Sequence, residues 1–344
     1  MMGHGAVGPD VRVLAGDIGG TKTRLAVFTV RGVRLHTECE AVYPSRAHAS
    51  LAEILDQFLH RHPVQAELAC FGLAGPVRGG RCETTNLPWV VDATELKARF
   101  GFRRVALLND LEANAWGIRV LPPEDLKVLN AGTAQAQGNA SVIAAGTGLG
   151  EAGLYWDGRE HWPFPSEGGH TDFSPADEPQ FRLMQFLAKR YGHVSWERVV
   201  SGPGLVDIHR FVLETQGVAA PAWLAERMER GDAAAEITRA ARGHGEPSCR
   251  EALDLFVSLY GAEAGNHALK IMSTGGVYLG GGIAPRIIDW LEGSRFLEAF
   301  WSKGRMEQLL RDMPVRVVLN DRTALYGPAV YMARAERGGQ GPEP

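Results

Sequence analysis

Residues 11–30 read VRVLAGDIGGTKTRLAVFTV. An apolar run, Val11–Gly16, meets the turn-forming pair Gly19-Gly20, and a second run rich in Leu, Val and Phe, Arg24–Val30, leaves it. Two short apolar runs joined by glycines predict a β-hairpin. The rival is the phosphate loop GxxxxGK[ST]. That pattern needs a glycine where Thr21 stands and a helix afterwards, whereas Arg24–Val30 predicts a strand. A hairpin can hold phosphate differently. Gly16, Gly19 and Gly20 let backbone N–H groups approach the oxygens, Thr21 and Thr23 bring hydroxyls, and Asp17 offers a carboxylate to Mg²⁺ or its waters. Asp-x-Gly-Gly also turns readily by itself, so this stretch alone leaves an ordinary hairpin turn open.

Outward from the hairpin, Val33–Tyr43 predicts a third strand, and Leu51, Ile54, Leu55, Phe58 and Leu59 follow helical spacing. Strands at Ala66–Leu73 and Arg104–Leu108 alternate with helices at Thr94–Phe100 and around Leu111, Ala115 and Ile118. The order β-β-β-α-β-α-β-α predicts a mixed sheet covered by helices. Pro122-Pro123 and the Gly/Gln/Asn-rich stretch Asn130–Ala140 interrupt it, which places a boundary near residue 120. A second meander follows: Ser141–Ala145, a GTGLG turn, Gly153–Asp157, Gly158 and Glu160–Pro163. Three-strand openings on either side of a boundary suggest a duplicated fold. Helical patterns dominate from Glu178 to Lys270. Then come a strand, Val277–Leu279, entering Gly280-Gly281-Gly282, a helix at Arg286–Leu291 and a strand at Pro314–Leu319. A last helix, Ala324–Ala335, is expected to pack back on the first domain, and Gly338–Pro344 to be disordered.

Bulk properties fit two domains or one large α/β domain. The chain has 344 residues, 45% of them hydrophobic, too many for one ordinary core. With 36 basic against 40 acidic residues it lacks the basic footprint of a nucleic-acid binder. Cys39, Cys70, Cys82 and Cys249 show no CxxC pairing, which suits a reducing compartment. Met1–Asp10 lacks the features of a signal peptide, and no stretch approaches the roughly 20 apolar residues of a membrane helix. The expected location is the cytoplasm.

Further stretches carry candidate chemistry. Gly146-Thr147-Gly148-Leu149-Gly150 repeats the glycine-turn logic. Its overlap with GxGxxG, Gly148 to Gly153, lacks the helix a dinucleotide site requires. Asn109-Asp110 ends a strand and opens a helix. A carboxylate there can accept a proton from a substrate hydroxyl, or it can merely cap the helix. In Ser166-Glu167-Gly168-Gly169-His170, Glu167 and His170 can pair with adjacent sugar hydroxyls, or form a polar surface turn. Zinc held by His161, His170 and His193 finds no standard spacing. Glu197 opens a helical stretch as a first-turn acid, and Asn86, in Thr84–Trp89, can offer an amide to a sugar or belong simply to a tight loop. Gly280, Gly281 and Gly282 leave bare backbone for a purine or ribose, although bland strand-to-helix turns look similar.

Together these residues resemble the bacterial glucokinase family of the hexokinase and actin-like ATPase superfamily. The likeness runs from about Leu14 to Tyr331. It is carried by GDIGGTKTRLAVF, LLNDLEA, AAGTGLGEA, SEGGHTDF, HVSWERVVSGPGL and LGGGIAPR, in order. The resemblance implies that Asp110 is the catalytic base and that Asn109, Glu167, His170 and Glu197 contact glucose hydroxyls. It assigns Asp17 to Thr21 and Thr147 to Gly148 to the phosphates, and Gly280 to Gly282 to adenosine. It implies two actin-like, ribonuclease H-like domains with the active site in the cleft between them. The small domain is expected at 10–120, completed by a C-terminal helix at 321–337, and the large domain at 121–320. It further implies MgATP and a homodimer. Repressor-type sugar kinases share the DIGGTK turn but carry a Cys-rich zinc motif after the histidine. Here Thr-Asp-Phe-Ser-Pro follows His170, with no cysteine before Cys249. The expected reaction is transfer of the γ-phosphoryl group of ATP to the 6-hydroxyl of glucose. The alternatives are a kinase for another hexose, or a non-catalytic sugar- or nucleotide-sensing ATPase module.

Overall fold

The structure is a computed structural model that describes residues 10–32 and 34–338. The expectations placed on residues 1–9, on Val33 and on the tail after Gly338 lie outside the described residues. The chain divides into two compact units. One comprises the residues up to Pro123, Trp162–Pro165 and those from Asn320 onward; the other comprises Glu124–His161 and Ser166–Leu319.

The first unit is built on the opening hairpin. Strands β1 (Val11–Ile18), β2 (Lys22–Arg31) and β3 (Arg34–Pro44) form an antiparallel meander, with Asp17 opposite Arg24 and Ile18 opposite Thr23 across the first turn. Strand β4 (Leu68–Leu73) adds parallel to β1. Beyond a small sheet of β5 (Val77–Arg78), β6 (Arg81–Glu83) and β7 (Val90–Asp92), β8 (Arg104–Asn109) adds parallel to β4. The order is β3-β2-β1-β4-β8. β1 and β4 read as near-continuous apolar runs because both sheet faces are covered. Leu14, Ile18, Leu25 and Phe71 pack with Phe58 from helix Leu51–Arg61. Val13, Ala15, Ala26 and Cys70 face helices Asp110–Ile118 and Thr323–Glu336. The small sheet was not expected from the sequence, since its strands of two or three residues are too short to show alternation.

Helix Ala93–Phe100 shows how local chemistry sets an element. The Asp92 carboxylate accepts from the N–H groups of Thr94 and Glu95, and Gly101, at φ +69°, ends the helix. Asp92→Ala is expected to cost about 1 kcal/mol of stability, read as a lower urea midpoint at unchanged slope.

A second sheet comprises β9 (Leu126–Asn130), β10 (Ala140–Ala145), β11 (Leu149–Trp156), β12 (His161–Ser166), β13 (Gly276–Gly280) and β14 (Val315–Val318), in the order β12-β11-β10-β13-β14-β9; all lie in the second unit except Trp162–Pro165 of β12. The first five of these follow the same sequence of neighbours as the first unit's sheet, with β10–β11 antiparallel and β10–β13–β14 parallel. β9 is an addition, antiparallel to β14 on the edge, in a stretch where the sequence pattern predicts no strand. β11 also starts earlier than expected, at Leu149 rather than Gly153, because the turn glycines join the ladder. Helix Pro247–Ile271 lies through the core. Its Gly261 and Gly265 admit the carbonyls of Phe296 and Phe300 from helix Ser294–Trp301.

Candidate active site

In the first unit the hairpin turn, the Thr84–Trp89 loop and the β8–helix junction each have a definite local cause. Gly19 N–H donates to Lys22 O at 3.0 Å, closing the turn. A Cβ at Gly20 would stand 2.6 Å from Asn86 Cβ, so the glycine lets the loop carrying Asn86 lie directly on the turn. Thr21 is exposed. Thr23 is fully buried, and its hydroxyl lies 3.0 Å from Ser45 Oγ, which itself donates to Gly19 O at 2.7 Å. The hydroxyl read as a phosphate donor at Thr23 is therefore a brace of the turn, because alternation along β2 sends that side chain inward. Ser45 has no motif of its own and was missed.

Asp17 sits at the end of β1. Burial pushes its carboxyl up to about 6; Arg24 opposes this and Asp321 adds to it. Arg24 Nη2 is 2.7 Å from Asp321 Oδ2, so the guanidinium serves two acids.

At the end of β8, Asn109 is the helix cap. Its Oδ1 and the Asp110 Oδ1 both accept from Leu111 N–H at 2.9 Å, and Asn109 Nδ2 donates to Gly75 O at 3.2 Å. The Asp110 carbonyl accepts from Asn114 Nδ2 at 3.0 Å, and Asn114 Oδ1 accepts from Thr323 Oγ1 at 2.7 Å. Burial pushes the Glu112 carboxyl up to about 7, opposed by the nearby polar groups of Trp116 and the Asn109 backbone. Asn-x-x-Glu is a capping-box pattern, a signal for Glu112 that was present in the sequence.

In the second unit, Gly146 N–H donates to Gly148 O at 2.8 Å and Gly202 N–H to Gly146 O at 2.8 Å, holding the GTGLG turn. Glu197 lies against it. Its Oε2 accepts from Leu149 N–H at 3.0 Å, where a Cβ at Gly148 would stand only 2.4 Å away. Glu167 and His170 flank a single 3-10 turn, Gly168–His170, both exposed, with His170 Nε2 3.8 Å from Glu167 Oε2. A Cβ at Gly169 would meet Leu149 O at 2.1 Å. Glu167, His170 and Glu197 are thus all registered on the first residues of β11.

Gly281, at φ +79°, turns the chain where a Cβ would be 2.3 Å from Ala145 O. With Thr147, Gly146 and Gly282 on its wall, a cavity of about 1320 Å³ opens in this unit. The remaining walls bring in Thr238, Arg239 and Arg242, which sequence reading missed. Arg242 grips Asp289 through two hydrogen bonds of 2.9 and 2.5 Å and donates to Arg286 O at 2.8 Å. Only Gly202–Gly204 left a trace in the sequence, as a helix break. The others sit on helices whose pattern reports burial alone.

Three alternative readings fall. β2 follows the first glycine turn and β11 the second, so neither the helical phosphate loop nor the dinucleotide motif is present. His161, His170 and His193 form no metal-ligand cluster among the described residues. His161 Nε2 lies 2.9 Å from Gly138 O and His193 Nε2 2.7 Å from Asp172 Oδ1. The trio with suitable spacing, His209, Glu246 and Cys249, is already tied through Ser248 Oγ, 2.9 Å from His209 Nε2 and 2.6 Å from Glu246 Oε2.

A family model described as Glucokinase matches residues 14–335. A glucokinase of Nostoc sp. strain PCC 7120 is 39% identical over 338 residues, covering 94% of this chain and 99% of that protein. The crystal structure of a glucokinase from an Antarctic psychrotroph superposes with a TM-score of 0.83 at 32% identity, covering 94% and 99% of the two chains. A Streptomyces griseus ROK family glucokinase, solved with glucose and AMPPNP, shares the fold at 20% identity, with a TM-score of 0.61 over 94% and 99%. These neighbours carry the actin-like two-domain fold of mixed sheets flanked by helices, as does this chain.

Proposed function

Because the chain belongs to the glucokinase family, we propose that it transfers the γ-phosphoryl group of ATP to the 6-hydroxyl of glucose, giving glucose 6-phosphate and ADP. The observation that carries this reading is the second unit's cavity. It puts Gly146 and Thr147 of one glycine turn and Gly282 of another on the same wall, in a volume large enough for a nucleotide.

The residues divide the work. Asp110, at the carboxyl end of β8, accepts the proton of the 6-hydroxyl and aims its oxygen at the phosphorus. Asn109, Glu167, His170, Glu197 and Asn86 bind the sugar's hydroxyls, so that a sugar presenting them wrongly leaves buried polar atoms unpaired. The turn at Gly16–Thr21 and Thr147–Gly148 hold the phosphates, and Gly280–Gly282 lie along the adenosine.

Asp17 fits Mg²⁺: it is a hard oxygen donor whose burial already penalises an uncompensated charge. When bound, Mg²⁺ supplies charge neutralisation at the outer phosphates. By the family resemblance the protein pairs as a homodimer in the cytoplasm, and light scattering reads the pairing. No described helix is long and apolar enough to cross a membrane.

A coupled assay with glucose and ATP is expected to yield glucose 6-phosphate, with glucose first in kcat/KM among hexoses and little ATP hydrolysis without sugar. Chelating Mg²⁺ with EDTA is expected to abolish turnover, and added Mg²⁺ to restore it. Brisk ATP hydrolysis with no sugar phosphate formed sinks the proposal in favour of an ATPase module.

A further inference from the structure

Glu151 lies two residues into β11, only 1% exposed, where an apolar side chain would fill the space at far lower cost. Its neighbours deepen the cost. His267 Nδ1 is 3.1 Å from Glu151 Oε2, and His267 Nε2 is 3.2 Å from Ala152 O. Glu263, fully buried on helix Pro247–Ile271, is pushed up to about 8 by burial and by Glu151's charge. Asn266 Nδ2 donates to it at 2.9 Å, and Lys270 Nζ stands 3.6 Å away. Apart from His267 and Glu263, no described hydrogen-bond donor reaches either oxygen of Glu151. A buried acid set against a histidine and a second acid breaks the local rule for a core strand, and such breaks gather at functional sites.

What the carboxylate does touch is the loop between Glu167 and His170. A Cβ on Gly168 would lie 1.9 Å from Glu151 Oε2 and 2.9 Å from its Cδ, so the loop backbone rests on this group. Gly168 is not in the left-handed region, so the bare carbon there answers to the carboxylate rather than to its own dihedrals. One step along the strand, Leu149 N–H holds Glu197 Oε2 and Leu149 O backs Gly169.

We propose that Glu151 is a positioning residue for sugar binding: its carboxylate is the buried wedge on which Gly168 rests, setting Glu167 and His170 in register with Glu197. This rests on the glucokinase reading. It assigns a task to a residue that touches neither sugar nor nucleotide.

The test separates length from charge. Glu151→Asp withdraws the carboxylate from Gly168 and is expected to raise the glucose KM about tenfold, with the ATP KM and kcat within about threefold. Glu151→Gln keeps the length and is expected to hold the glucose KM within about threefold of wild type. Should Glu151→Asp fail to fold, Gly168→Ala decides. Its methyl presses on the carboxylate and raises the glucose KM, and adding Glu151→Ala makes room and lowers that KM again. The proposal is overturned by a glucose KM within about twofold of wild type in Glu151→Asp, by glucose and ATP KM rising together, or by Gly168 and Glu151 effects that simply multiply. A wild-type protein that forms no glucose 6-phosphate overturns the underlying reading instead.

Discussion

Asp110→Ala is expected to lower kcat by about 10²–10⁴-fold, the usual contribution of a positioned general base, while glucose binding measured by fluorescence or calorimetry changes little. The competing role for this position is helix capping, and the structure assigns most of that role to its neighbour. Asn109 Oδ1 accepts from Leu111 N–H at 2.9 Å and remains when Asp110 is cut back. The Asp110 carbonyl, not its side chain, receives Asn114 Nδ2. Asp110→Ala should therefore fold with a stability loss below about 1 kcal/mol. Asp110→Asn is the sharper variant, since it keeps shape and hydrogen bonding but cannot take a proton; it should be as impaired in kcat as alanine. Turnover near wild type in either variant removes Asp110 from the role of base.

Gly327→Ala should destabilise the protein by about 1–3 kcal/mol net, even though alanine is the better helix former by about 1 kcal/mol. The methyl would stand 1.7 Å from Ala113 O, and the reciprocal approach, Gly117 to Thr323 O, allows only 2.0 Å. Neither obstacle is a side chain that can swing away. Helices Asp110–Ile118 and Thr323–Glu336 must separate. That movement carries a functional cost, because Thr323 Oγ1 fixes Asn114, and Asn114 fixes the Asp110 carbonyl. A drop in kcat of about tenfold should accompany the lower Tm, since displacements near 1 Å at a reacting group are costly. A Tm equal to or above wild type would overturn this account of the helix crossing.

The same two helices show what could be read in advance. The apolar spacing of Leu111, Ala115 and Ile118 announced one helix, and Ala324–Ala335 announced the other nearly to its ends. Both are local patterns. The glycines at their crossing carried no such signal, because Gly117 and Gly327 are far apart in sequence and matter only when backbones meet. β9 and the small sheet were missed for a related reason. Their strands are short or lie on an edge, and partners distant in sequence hold them in place. Among site candidates, Asp17, Asp110 and the glycine turns could be proposed from sequence because phosphate and hydroxyl chemistry demands particular residue types at fixed offsets. Ser45, Thr238, Arg239, Arg242 and Glu151 could not, since a buried serine or an acid inside a strand looks like noise until its neighbours are known.

By itself the sequence determined the strand–turn–strand openings, the places where backbone had to be bare, the caps of the helices and the family to which they belong. These depend on interactions across a few residues, where side-chain period, dihedral freedom and hydrogen-bonding reach are properties of the local chain. Tertiary structure alone decided which turns share a cavity, that Thr23 braces rather than donates, and that a C-terminal helix holds the helix bearing Asp110. It also decided that a buried carboxylate lies under the Glu167–His170 loop. Those outcomes follow from close packing, in which the space left at one residue is set by atoms well outside its local stretch of chain.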